Sequence, residues 1–249
     1  MNPLIFSLFV AISLISKPLF ASQQITPYPK IKTYKFTFSK DEHFEVSYAD
    51  YPVGEEQFYE LNHAEQSSLP PEIATGQRAL KISGNNHSDD LFMFAYKKLD
   101  HLKPNTRYQV GFSLEFASNA SNESIGVGGS PGTSVYMKMG LIPQKPGRYV
   151  DSGHYYRMSL DKGNQGTDGK EMILIGDVGV DNQDFLYRIK TLPYQPTEDM
   201  LQKINNYRFT SNNKGEAWLI FGTDSGYEST STLFYTNIVV TFTEKSSSF

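Results

Sequence analysis

Apolar and polar residues alternate along much of this chain with a period of two. Tyr34, Phe36 and Phe38 form one such series, Leu80 and Ile82 another, and Tyr108, Val110, Phe112, Leu114 and Phe116 a longer one. Val135, Met137 and Met139 follow, then Met172 and Leu174. Trp218 and Ile220 come next, with Ala217, Leu219 and Phe221 on the opposite face, and the series ends with Phe234 to Phe242. This period, carried by β-branched and aromatic side chains, is that of strands that bury one face. Turn chemistry separates them: Ser83-Gly84-Asn85-Asn86, Lys103-Pro104-Asn105, Gly128-Gly129-Ser130-Pro131-Gly132 and Asn212-Asn213-Lys214-Gly215. The pattern predicts an all-β fold, an antiparallel β-sandwich or jelly roll with long loops. One short helix is expected over Thr197 to Ile204, preceded by Pro196 and capped by Thr197. Trp218, the one tryptophan, is expected in the core.

The amino end has a different texture. Leu4 to Ile15 (LIFSLFVAISLI) is an apolar run, followed by small residues at Ala21 and Ser22. It is too short to cross a bilayer as a helix, which takes about 20 apolar residues, and its layout is that of a secretory signal. We therefore read residues 1–21 as a signal peptide and 22–249 as a single β-sandwich domain. The expected location is secreted or periplasmic, with no transmembrane segment once the signal is cleaved.

Composition narrows the partners. The net charge of −4 comes without any block of Lys or Arg, so the surface repels phosphate backbones and a nucleic-acid partner is not expected. The absence of Cys removes disulfides, thiolate metal sites and a thiol nucleophile together. Stability must then come from an apolar core, for which 17 Phe and 16 Tyr supply ample material.

Candidate chemistry lies in the loops. Residues 119–134 are too rich in Gly and small polar residues to be core. Asp161, Asn164, Asp168 and Glu171 open a stretch of hard oxygen donors that suits calcium, although the spacing is not that of an EF-hand loop. In His154-Tyr155-Tyr156-Arg157, read as a strand, His154 and Tyr156 share one face while Tyr155 and Arg157 share the other. Either pair can stack on a sugar and hydrogen-bond to it. Tyr149 and Tyr194, beside Gly and Pro in loops, complete the set of ligand-binding candidates. The five histidines are scattered without zinc-ligand spacing. No dinucleotide fingerprint, P-loop or serine-nucleophile elbow occurs. Glu115 and Glu216 are the carboxylates a glycosidase reading would need.

Several passages carry a resemblance. Ala79 to Gly84, followed by Leu99 to Phe116 (LDHLKPNTRYQVGFSLEF), resembles the passage of leucine, glycine and L-x-P-G-x-x-Y found in carbohydrate-binding modules with a galactose-binding-like jelly roll. The end, from Trp218 to Val240, is similar to their last strands. The resemblance implies a β-sandwich and a glycan groove of aromatic and amide residues. The Asp that helps to hold a structural calcium in that family corresponds here to Thr236 and Asn237, neither a carboxylate, so that metal site does not carry over. Ser130 to Gly140, with Met158 to Gly166, resembles a group of secreted bacterial proteins of no assigned activity. Tyr136 to Gln144 (YMKMGLIPQ) is similar to a strand of jelly-roll alginate lyases, but the family's second tyrosine falls on Ile142, and neither its Gln-Ile-His triplet nor its Arg-x-Glu-x-Arg strand occurs.

The sequence thus favours a secreted, non-catalytic binding protein for a glycan or cell-surface polysaccharide. The alternative is an envelope or extracellular protein-protein interaction module that uses the loops at 117–134 and 161–196. A polysaccharide lyase or glycoside hydrolase ranks behind both.

Overall fold

The computed structural model describes residues 30–38, 42–73 and 76–245, so the segment read as a signal peptide lies outside the described residues. Fifteen strands and one helix follow in chain order. They are β1 (Ile31–Thr37), β2 (Glu45–Ala49), β3 (Tyr51–Pro52), β4 (Asn62–Ser68), β5 (Arg78–Asn85), β6 (Leu91–Leu99), β7 (Arg107–Ser118) and β8 (Val135–Ile142). Then come β9 (Arg148–Val150), β10 (Tyr155–Met158), β11 (Met172–Asp177), β12 (Arg188–Leu192), α1 (Glu198–Asn206), β13 (Arg208–Thr210), β14 (Ala217–Ser225) and β15 (Thr230–Glu244).

Two antiparallel sheets face each other. One runs β12-β7-β15-β5-β4, with β1 sharing the flank of β15 and β13 the flank of β7; the other runs β11-β8-β14-β6-β2. The expected β-sandwich is the fold observed. Between the sheets lie the alternating residues of the sequence pattern, among them Leu80, Val110, Leu114, Phe116, Met137, Leu219, Phe221 and Tyr235. Burial of these apolar faces is the main driving force for the fold. The helix is also where the sequence puts it, and the Thr197 hydroxyl accepts from Met200 N at 3.3 Å.

Two expectations change. Ser83-Gly84-Asn85 is not a turn but the end of β5. A Cβ on Gly84 would meet Leu91 Cδ2 and Met93 Sδ at 2.9 Å, so this glycine serves a close approach rather than a bend. Asn86 then makes the turn, and its buried amide donates to Ser225 O at 2.8 Å and Tyr227 O at 3.0 Å. Trp218 is not in the central core. It lies half-buried on the outer face of the second sheet, where Ala49, Phe92, Phe94, Tyr96, Met158, Met172 and Ile220 form a second cluster. A small third sheet, β3-β10-β9, adds Met158 to that cluster from β10. It also forms one wall of the cleft described next.

Candidate functional site

The cleft begins at the corner between β2 and β3. Asp50 occupies the left-handed region there, with φ of 64°, a conformation that Asp tolerates better than most side chains. Its N–H donates to Tyr156 O at 2.6 Å and its carbonyl accepts from Ser88 Oγ at 3.1 Å. These bonds tie the corner to β10 on one side and to the β5–β6 loop on the other. The loop after β3 carries Glu55, Phe58 and Tyr59. Together with His87, Ser88, Asp90, Tyr155 and Arg157 they line an open cleft of about 520 Å³.

Aromatic rings form one side of it. Phe58 is 58 % exposed and stacks on the exposed His87, centroids 4.1 Å apart and planes 21° from parallel. The buried Tyr59 meets His87 edge-on at 5.3 Å and Tyr51 at 5.5 Å, and Tyr51 in turn packs on Tyr156 at 5.2 Å. A chain of rings thus anchors an exposed stack to the core.

The hairpin β9–β10 supplies the other side. Tyr156 pairs with Tyr51 and Tyr155 with Pro52. Of the two pairs read from the sequence, Tyr155 and Arg157 both line the cleft, while Tyr156 packs inward under the Arg148 guanidinium, 3.8 Å from its ring, and His154 does not share its face because it lies before β10 with φ of 61°. Asp151 organises the hairpin turn. One of its oxygens accepts from Gly153 N and Tyr155 N, both at 2.9 Å, and the other from Arg157 Nε at 3.0 Å. Arg157 then reaches Asp50 Oδ1 with Nη1 at 2.9 Å and leans over the Tyr155 ring at 4.9 Å. Burial works against its charge, yet Asp50 and Asp151 hold its pKa above the ordinary value.

Beneath the cleft lies a compact charge network. Lys162 Nζ is 2.7 Å from Asp224 Oδ2, 3.1 Å from Asp50 Oδ2 and 3.9 Å from Asp90 Oδ1. Lys138, fully buried on β8, donates to the same Asp224 oxygen at 3.0 Å and to the carbonyls of Lys162 at 2.8 Å and Thr167 at 3.0 Å. Gln165 N is a third donor to Asp224 Oδ2, at 2.8 Å. The two ammonium groups respond oppositely. Burial pulls Lys138 below the usual lysine range, with Asp224 the main group to oppose it, Lys162 adding repulsion and Asp168 a smaller attraction. Lys162 suffers burial too, but Asp224, Asp50 and Asp90 outweigh it and raise its pKa. Asp90, at the cleft wall, is pushed up to about 7 by burial first and by the Asp50 charge second.

Asp50, Asp90 and Asp224 each offer an oxygen, all within 4.8 Å of one another, and these are the residues that bring three such donors together among those described. As a donor set they suit a hard cation. With Lys162 in place they do not fit one, because its ammonium already lies against all three.

The other residues named from the sequence lie elsewhere. His154 is exposed at the hairpin turn. Tyr149, 54 % exposed, borders a separate depression with Lys145, Met158 and Leu160, and Tyr194, 60 % exposed, borders a third beside β12 with Ile189 and Lys190. Asp161, Asp168 and Glu171 bind their own loop. Asp161 accepts from Gly163 N and Lys170 N, Glu171 from Asp161 N, and Asp168 from Leu174 N while also meeting Lys203. The backbone N–H of Asn164 donates to Thr167 Oγ1. Glu115 accepts from Thr236 Oγ1 at 2.7 Å and from Asn237 Nδ2, where β15 bulges against β7. Glu216 pairs with Lys98 at 2.7 Å.

Sequence reasoning missed Phe58, His87, Asp50, Asp90, Lys138, Lys162 and Asp224. A signal existed for two of them: Lys138 and Asp224 are the charged residues within the apolar strands β8 and β14.

No family model matches the chain, and no curated protein matches it. Among solved structures it is similar to a sugar-binding protein described as putative from Bacteroides thetaiotaomicron, at 9 % identity and a TM-score of 0.37, covering 84 % of this chain and 92 % of that one. It is similar to TmCBM61, solved with β-1,4-galactotriose, at 6 % identity and a TM-score of 0.36, covering 81 % and 90 %. It is also similar to the CBM22-1 xylan-binding domain of Paenibacillus barcinonensis Xyn10C, at 8 % identity and a TM-score of 0.35, covering 86 % and 95 %.

Proposed function

We propose that this chain is a secreted or periplasmic protein that binds a glycan, without chemistry, in the cleft between the loop after β3 and the hairpin β9–β10. The observation that carries this reading is the exposed Phe58–His87 stack sharing a cleft with Tyr155, Arg157, Glu55 and Asp90. An apolar ring left in water beside hydrogen-bonding groups matches a sugar, which has one apolar face and a rim of hydroxyls. Glu55 and the Asp residues outnumber Arg157, so the ligand class is neutral sugars rather than uronates. The export reading rests on Leu4 to Ile15; among the described residues no helix is long and apolar enough to cross a membrane.

The test is affinity electrophoresis of the purified protein in gels of soluble neutral polysaccharides, with product release assayed in the same samples. Retardation without product is expected, and Phe58→Ala and Tyr155→Ala should each weaken it clearly while Tyr194→Ala does not. Product release, or retardation unchanged in Phe58→Ala, would overturn the reading.

A second reading has one observation in its favour. Phe185, Leu186, Ile189 and Tyr194 leave apolar surface exposed along one stretch of chain, as a protein-contacting patch does. Loss of a protein partner on Ile189→Asp, with glycan retardation intact, would support it.

A further inference from the structure

Lys162 stands where the surrounding oxygens call for a bound ion. Its ammonium has charge contacts with three carboxylates from three separate parts of the chain: Asp50 after β2, Asp90 before β6 and Asp224 on β14. Asp224 is fully buried, yet its Oδ1 accepts no hydrogen bond, and neither do the buried Asp50 Oδ2 and Asp90 Oδ1. Buried carboxylate oxygens normally accept at least one hydrogen bond. Asp50 Oδ2 and Asp90 Oδ1 face the Lys162 ammonium instead, at 3.1 and 3.9 Å, held by charge as oxygen ligands are held around calcium. The remaining cationic neighbours of the network are Arg157, 2.9 Å from Asp50 Oδ1 and 3.5 Å from Asp90 Oδ2, and Lys138, 3.0 Å from Asp224 Oδ2. Neither contacts all three carboxylates.

We propose that the Lys162 ammonium is a built-in substitute for a divalent cation, and that shortening this one side chain turns the pocket beneath the cleft into a calcium site. The native protein then keeps the corner at Asp50 and the base of Arg157 in place without depending on metal supply. A lysine tail enters from the loop after β10, so the substitute is covalently attached and costs no ion-binding equilibrium. In a Lys162→Met variant the volume of the stem is kept while the charge is lost. The three acids then repel one another across less than 5 Å, and a divalent ion relieves that repulsion.

The experiment is thermal unfolding of the full chain and of Lys162→Met, each in EDTA and in millimolar calcium chloride, with calorimetric calcium titration of both. The native protein should show the same midpoint in both buffers and no binding heat. Lys162→Met should unfold at lower temperature in EDTA and gain roughly 5 °C or more at saturating calcium. A native midpoint that rises with calcium would show that the ammonium leaves room for an ion and would overturn the proposal. So would a variant whose midpoint ignores calcium, or one that stays unfolded with and without it. No glycan enters these measurements, so their outcome is independent of what the cleft binds.

Discussion

Lys138 and Lys162 converge on a single oxygen, Asp224 Oδ2, at 3.0 and 2.7 Å. The buried side of the cleft therefore hangs on one carboxylate on β14. Asp224→Asn removes the one carboxylate in direct contact with the fully buried Lys138, a loss of about 3–5 kcal/mol in such settings. Lys138→Met should cost clearly less, because Asp224 keeps Lys162 and Gln165 N. Urea unfolding of the two variants checks the order, and equal losses would contradict it.

Stability should fall as pH rises from about 4 to 7. Asp90 has a folded pKa of about 7 against an ordinary 3.8, so in that window the folded state holds a proton that the unfolded chain has released. Its contribution is complete below the ordinary value and is lost as pH passes through the folded one. Asp90→Asn stays neutral throughout. Urea midpoints measured across this range should therefore slope downward less steeply in Asp90→Asn than in the native protein, and the variant should be the more stable of the two above pH 7.

Phe58 gives a separation between binding and folding. With more than half its surface in water, it contributes little to the core, so Phe58→Ala should leave the thermal midpoint nearly unchanged. Removing the outer ring of the stack should weaken glycan binding about tenfold, equivalent to ~1.4 kcal/mol. Titration calorimetry with the best ligand from the gel panel measures this directly.

Tyr207 connects α1 to the second sheet. Its hydroxyl accepts from Leu141 N at 2.8 Å and donates to Glu171 O at 2.9 Å, and burial raises its pKa. Tyr207→Phe leaves the Leu141 N–H without a partner in the interior, at a cost of about 1–3 kcal/mol. Chemical unfolding of the variant reports the loss, and no change would mean that water replaces the hydroxyl.

Where one face of a strand is buried, the sequence was easy to read: β5, β7, β14 and β15 appear as alternation, and α1 as a capped amphipathic turn. β6 did not, although LFMFAYKKL is among the most buried segments. Its residues point into the core on one side and into the Phe92–Phe94–Tyr96 cluster on the other, so no alternation survives. Gly84 shows the converse, since a turn-forming residue was placed inside a strand by packing.

The candidate site divides in the same way. Tyr155 and Arg157 were found because a strand's period of two is a local property, fixed by the pleat of the backbone. Their partners come from positions 50, 58, 87, 90 and 224, and nothing local couples these numbers. Only the sheet pairings bring β3 beside β10 and the β5–β6 loop beside the β2–β3 corner. Composition and periodicity determine that this chain buries alternating faces in a sandwich, because burial depends on one residue and its near neighbours. Which charges meet beneath the cleft was decided by tertiary structure alone, because Coulomb contacts depend on distance in space and not along the chain.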